Sequence, residues 1–134
     1  MNDILFRLLL GHLFGDYLSQ TSWMAESKKT KTFPCICHCL VYTLWVMVFV
    51  PEFLPHRGLV IDCMMFGLVF FSHYVLDRTK IVELWFELLR GTTYSNDNKE
   101  LLYLIPIKAI VYVTMDNTLH LFMLWAILRL FITG

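Results

Sequence analysis

The chain has 134 residues, 57% of them hydrophobic and only 16% charged, against about 25% charged in soluble domains. Eleven Lys and Arg balance eleven Asp and Glu, so the basic footprint of a nucleic-acid-binding protein is absent and nucleic acid is excluded as the expected partner. The length allows one domain, and its 11 Phe, 6 Tyr and 4 Trp carry more apolar surface than a soluble core of this size buries; the expected solvent is a lipid bilayer.

The first apolar stretch covers residues 4–20. Met1-Asn2-Asp3 ahead of it lacks a basic n-region, so it is expected to remain as an uncleaved helix. A spanning helix needs about 20 mostly apolar residues, and stretches near that length recur at 33–54, 59–77 and 112–132. The expected fold is all-α, a four-helix transmembrane bundle forming one integral membrane domain over 1–134. The loop between the first two spans contains Lys28, Lys29 and Lys31, and the loop between the last two contains Arg78, Lys80, Arg90 and Lys99. The positive-inside bias places both loops in the cytoplasm and both termini outside it. Residues 81–90 are too short to span and carry a Trp with spaced charges, which suits a cytoplasmic interfacial helix. Gly91 is expected to stop it, and 94–98 have turn chemistry. Residues 101–113, with Pro106 and Lys108, read either as a second interfacial piece or as the start of one long helix kinked at Pro106.

Ionisable side chains within membrane spans are costly and usually functional. His12 and Asp16, His73 and Asp77, and Asp116 and His120 are each four residues apart, so each pair presents an imidazole and a carboxylate on one helix face. His38, with Tyr42 four further on, gives the second helix a polar face as well. At about 1.5 Å of rise per residue, Asp16 and His12 lie roughly 6 and 12 Å from the cytoplasmic end of the first helix, and His38 lies roughly 8 Å into the second. His73 and Asp77 close the third span at the same level. The residues of the last pair join them only if the last span starts well after Leu101. Seven His and Asp side chains from four helices are therefore expected to meet in the cytoplasmic half of the bundle.

Facing helices build metal sites from such inward side chains, and an imidazole-carboxylate set suits zinc, iron or manganese. The expected ligands of a divalent metal are His12, Asp16, His73, Asp77 and His120, with His38 and Asp116 as further ligands or as general acid and base. Gln20, one turn past Asp16, could orient a ligand from behind. Lys80, one turn after Asp77, could neutralise it or bind a phosphate. Gly15 lets a neighbouring helix approach closely. Cys35, Cys37 and Cys39 read as small hydrophobes within an apolar run, and His56, beside Pro55 and Arg57, reads as a solvated loop residue.

At these positions the chain resembles the domain of unknown function 3307, found in small membrane proteins of bacteria and their phages. The resemblance is carried by His12-Leu13-Phe14-Gly15-Asp16-Tyr17-Leu18-Ser19-Gln20 followed by Trp23-Met24-Ala25, Lys28 and Lys29, by His38 with Tyr42, by His73 with Asp77 and Lys80, and by Asp116 with His120. Asn117 stands where the family often has Gln. The resemblance implies an intramembrane polar centre in the bacterial inner membrane; the family is similar to membrane-bound metal-dependent hydrolases through these His and Asp patterns.

The function expected is a membrane-embedded, metal-dependent hydrolase-like activity on a lipid or phosphoester that reaches the site laterally, in a monomer or a homo-oligomer. The alternatives are a proton or metal-ion relay or transporter, which would need polar residues continuing into the outer halves of the helices, and a small membrane interaction protein without catalysis. No Gly-rich phosphate loop, Gly-x-Ser-x-Gly elbow or His-Glu-x-x-His pattern occurs.

Overall fold

A computed structural model describes residues 2–49, 58–91 and 105–133, and all regular structure among them is helical. The expected His56 loop, the turn at 94–98 and the end of the expected second span at 50–54 lie outside the described residues. Helix α1 (Asn2–Leu13) runs directly into a π-helical segment, Phe14–Leu18, closed by the Ser19 N–H donating to the Phe14 carbonyl at 3.0 Å. Helix α2 (Ser22–Ser27) is capped by the Thr21 hydroxyl, which accepts from the Met24 N–H at 3.3 Å. Helices α3 (Thr32–Phe49), α4 (Leu59–Arg78), α5 (Ile81–Arg90) and α6 (Ile105–Thr133) follow. Gly91, at φ 62°, ends α5 in the left-handed conformation that glycine adopts without cost.

Two elements differ from the sequence expectation. The first stretch does not stay α-helical to residue 20, because the i to i+5 turn at Phe14–Leu18 widens the helix and the chain leaves it at Ser19. The last helix is already formed at Ile105, the first described residue of its segment, rather than starting near 112, and Pro106 lies within it.

Helix α1 packs against α3 and α6, α3 against α4, and α4 against α6, which closes a ring of contacts; α2 rests on α3 and α5 on α6. Leu8, Tyr42, Val46, Met65, Val69, Leu124, Ile127 and Leu128 form the apolar core of that ring. Its other buried part is polar: His12, Asp16, His38, His73, Asp77 and His120. The outside is apolar, with Leu44, Val48, Val60, Met64, Phe71, Ile110, Phe122 and Leu130 all exposed. Ionisable groups inside and large apolar side chains outside invert the arrangement of a water-soluble domain. Three helical stretches, Thr32–Phe49, Leu59–Arg78 and Pro106–Ile132, are long and apolar enough to cross a membrane, which marks the chain as a membrane protein. Helix α5 buries Val82 and Phe86 against the body and leaves Leu84, Trp85, Leu88 and Leu89 exposed.

Gly15 has a direct steric role. A Cβ there would stand 2.6 Å from Tyr42 Cδ2 and 3.0 Å from Tyr42 Cα, so only glycine lets the π segment lie against the backbone of α3. Gly15→Ala should cost about 1–3 kcal/mol as an overpacking change. Denaturation in mild detergent checks this, and an unchanged midpoint would contradict it.

Candidate metal centre

The π segment brings Asp16 to the centre of the ring from α1, the middle of α3 supplies His38, and the last turns of α4 supply His73 and Asp77. Asp16, His38, His73 and Asp77 each offer one donor atom within 4.8 Å of all the others. His38 Nε2 lies 3.0 Å from Asp16 Oδ1, 3.1 Å from Asp77 Oδ2 and 3.0 Å from His73 Nε2. His73 Nε2 lies 3.5 Å from Asp16 Oδ1 and 3.3 Å from Asp77 Oδ2. Two imidazole nitrogens facing each other, with carboxylate oxygens on either side, form a nest of electron pairs that a cation would satisfy.

The dimensions match one. A tetrahedral cation with bonds of about 2.0–2.1 Å sets its donors about 3.3 Å apart, and the five distances above, from 3.0 to 3.5 Å, bracket that value. Two imidazoles on such a cation place their ring centres about 5 Å apart; those of His38 and His73 are 5.0 Å apart. The donor set therefore fits zinc, iron or manganese. Tyr42 lies flat on His73, with ring centres 3.5 Å apart and planes 14° from parallel, and fixes that imidazole.

All seven expected His and Asp residues are brought together. His12 sits beside Asp16, with Nδ1 3.2 Å from Asp16 Oδ2. His120 reaches from α6 to within 3.7 Å of Asp77 Oδ1. Asp116 lies at the rim, its side chain 28% exposed and its Oδ1 3.8 Å from His120 Nδ1. The expected helical stripe from His12 through Asp16 to Gln20 is not formed, because Gln20 lies beyond the π turn. Its amide nevertheless bridges, donating to the Asp16 carbonyl at 2.9 Å and accepting from Lys28 Nζ at 3.0 Å. Lys80 is exposed at the start of α5, outside the cluster. Cys35 and Cys39 are buried as expected of small hydrophobes, their sulfurs 4.0 Å apart.

Lys28 belongs to the centre although sequence reasoning treated it only as a loop charge. Its ammonium lies 2.9 Å from Asp77 Oδ2 and 3.4 Å from His38 Nε2. Burial opposes that charge, but the Asp77 carboxylate and then Asp16 hold it above its ordinary value. The neighbouring Lys29 turns the other way and donates to Glu83 Oε1 at 2.9 Å and to the Tyr112 hydroxyl at 2.8 Å, which ties the α2 end to α5 and α6. Asn117 was also missed as a partner: its Oδ1 accepts from His12 Nε2 at 2.7 Å.

Lys28 is thus a tethered cation beside the donors a metal would use. Lys28→Met removes the competitor and should tighten zinc binding roughly tenfold, a modest share of the repulsion between two charges a few ångströms apart. Competition titration against a chromophoric chelator measures it; weaker binding would show that Lys28 supports the metal instead.

No curated protein and no solved structure matches the chain. The model of a family described as "Protein of unknown function (DUF3307)" matches residues 4–134, and the chain, with its His12, Asp16, His38, His73, Asp77 and His120 gathered in one buried centre, belongs to that family.

Proposed function

We propose that the protein is a multi-pass membrane hydrolase whose His/Asp centre holds a divalent metal and acts on a lipid-borne phosphoester from the cytoplasmic side of a bacterial inner membrane. In this reading α1 with its π segment is the fourth span beside α3, α4 and α6. Lys28, Lys29, Lys31, Arg78 and Lys80 mark the cytoplasmic end, with both termini opposite. Exposed Leu84, Trp85, Leu88 and Leu89 lay α5 on the membrane surface.

The observation that carries the proposal is the convergence of Asp16, His38, His73 and Asp77 at distances suited to a tetrahedral cation. A cation bound there would lower the pKa of a coordinated water and polarise a phosphoryl oxygen. Asp116, outside that set and at the rim beside His120, would take a proton as general base. Lys28 supplies a positive charge at the same end for an anionic headgroup. Beyond the centre the core among the described residues is Leu8, Val46, Met65, Val69, Leu124, Ile127 and Leu128, an apolar layer that weighs against the relay or transport alternative.

The test is phosphate release from phosphatidic acid in mixed micelles by protein purified in mild detergent and loaded with zinc or manganese. Release that stops on chelation and falls at least about 100-fold in Asp116→Asn supports the proposal; no release from the metal-loaded protein would overturn it for this substrate class.

A further inference from the structure

Each central carboxylate uses only one oxygen in the His38 and His73 nest. Asp16 turns Oδ1 to His38 at 3.0 Å and Oδ2 to His12 at 3.2 Å. Asp77 turns Oδ2 to His38 at 3.1 Å and Oδ1 to His120 at 3.7 Å. Two carboxylates thus stand between two pairs of imidazoles.

The protonation of the second pair follows from its hydrogen bonds. The Tyr17 hydroxyl contacts both amide atoms of Asn117, Nδ2 at 2.6 Å and Oδ1 at 2.9 Å, and Asn117 Oδ1 lies 2.7 Å from His12 Nε2, where it accepts if that nitrogen carries the proton. With its proton on Nε2, His12 has its one Nδ1 lone pair 3.2 Å from Asp16 Oδ2; the Tyr42 hydroxyl, 3.1 Å away, competes for that lone pair and must turn aside for a cation to take it. His120 Nδ1 donates to the Asp116 carbonyl at 2.9 Å, which leaves Nε2 with the lone pair. That nitrogen is buried and has no hydrogen-bond partner among the described residues. A buried lone pair without a donor is costly unless something electropositive meets it. The ring centres of His12 and His120 are 5.6 Å apart, close to the separation of about 5 Å for two imidazoles sharing one cation.

We infer that the centre is dinuclear, with a second divalent cation held by His12 Nδ1, His120 Nε2, Asp16 Oδ2 and Asp77 Oδ1, and with Asp16 and Asp77 bridging it to the first. The backbone carbonyl of Asp116 and the Asn117 amide fix the two imidazoles in the ligating tautomer from behind. This inference rests on the metal-dependent reading above and deepens it. Paired cations about 3.5–4 Å apart suit the displacement of an oxygen at phosphorus, where attacking and leaving oxygens both need charge stabilisation, so a phosphoester is favoured over a carboxylic ester.

The experiment is titration of the full-length, untagged, metal-free protein in detergent with Mn(II), read by elemental analysis and electron paramagnetic resonance. Two equivalents with an exchange-coupled spectrum are expected for the wild type. His120→Gln and His12→Gln should each hold one equivalent with an uncoupled six-line signal. A wild type that saturates at one equivalent with the six-line signal overturns the second position while leaving the metal-dependent reading standing; no bound Mn(II) overturns both. The wild-type stoichiometry alone decides the matter if a variant fails to fold.

Discussion

Asp77→Asn is expected to destabilise the metal-free protein by about 3 kcal/mol and to abolish metal binding. The carboxylate is 3% exposed and faces Lys28, His38, His73 and His120. Removing one partner of a buried ion pair costs about 3–5 kcal/mol, because the other charge is left without compensation. The low end applies here, since the Lys28 side chain keeps 16% exposure and some contact with solvent. The same argument predicts a compensating change. In Lys28→Met/Asp77→Asn the ion pair is removed as a unit and Asp16 is the one central carboxylate left, so part of the lost stability should return although metal binding does not. Reversible denaturation of the two single variants and the double variant in one detergent gives the coupling. Additive losses would show that the pair does not act as a unit.

Metal loading should raise stability by an amount that chelation removes. A ligand that binds only the folded state stabilises by about 4.1 kcal/mol at 1,000 times its Kd, which in a chain of this size is a shift of roughly 15 °C in Tm. In His38→Gln, which loses the donor in contact with both central carboxylates and His73, apparent affinity should fall by more than about 100-fold. At the same zinc concentration its stabilisation should then fall to about a third of the wild-type value or less. Equal Tm values for loaded and chelated wild type would contradict the account, as would an undiminished zinc response in His38→Gln.

The polar centre was legible in the sequence for a specific reason. His12 and Asp16, His73 and Asp77, and Asp116 and His120 fall at helical spacing inside apolar stretches, where an ionisable pair has no reason to stand unless it meets another. The all-helical class followed from the same apolar runs. The π turn at Phe14–Leu18 was not legible, because the segment packs through Gly15 against Tyr42, twenty-seven residues away in α3, a contact that local propensity does not show. Gln20 was consequently placed on a helical stripe that does not form, although its amide still reaches the Asp16 carbonyl. Pro106 read equally as a kink or a boundary, and among the described residues it lies within α6, which is helical from Ile105. Lys28 was hidden by its company: in a loop with Lys29 and Lys31, one lysine that folds back onto Asp77 carries no local mark.

The division of the centre into two nests was also beyond the sequence. Spacing pairs His12 with Asp16 and His73 with Asp77 on their own helices, whereas the structure sets His38 and His73 on one side of the two carboxylates and His12 and His120 on the other. The i, i+4 pairs are partly shared across that division, so neither carboxylate belongs to one helix's histidine alone.

The central claim is that Asp16, His38, His73 and Asp77 hold a metal ion, and its most direct test is elemental analysis of the untagged protein purified in mild detergent. Wild type should carry at least about one equivalent of zinc, iron or manganese, as expected of a preformed His/Asp donor set. His38→Gln should lose it, and Cys63→Ser, which removes an exposed thiol that could bind metal adventitiously, should retain it. A well-folded wild type without metal after reconstitution, or metal content that follows Cys63 rather than His38, would contradict the account.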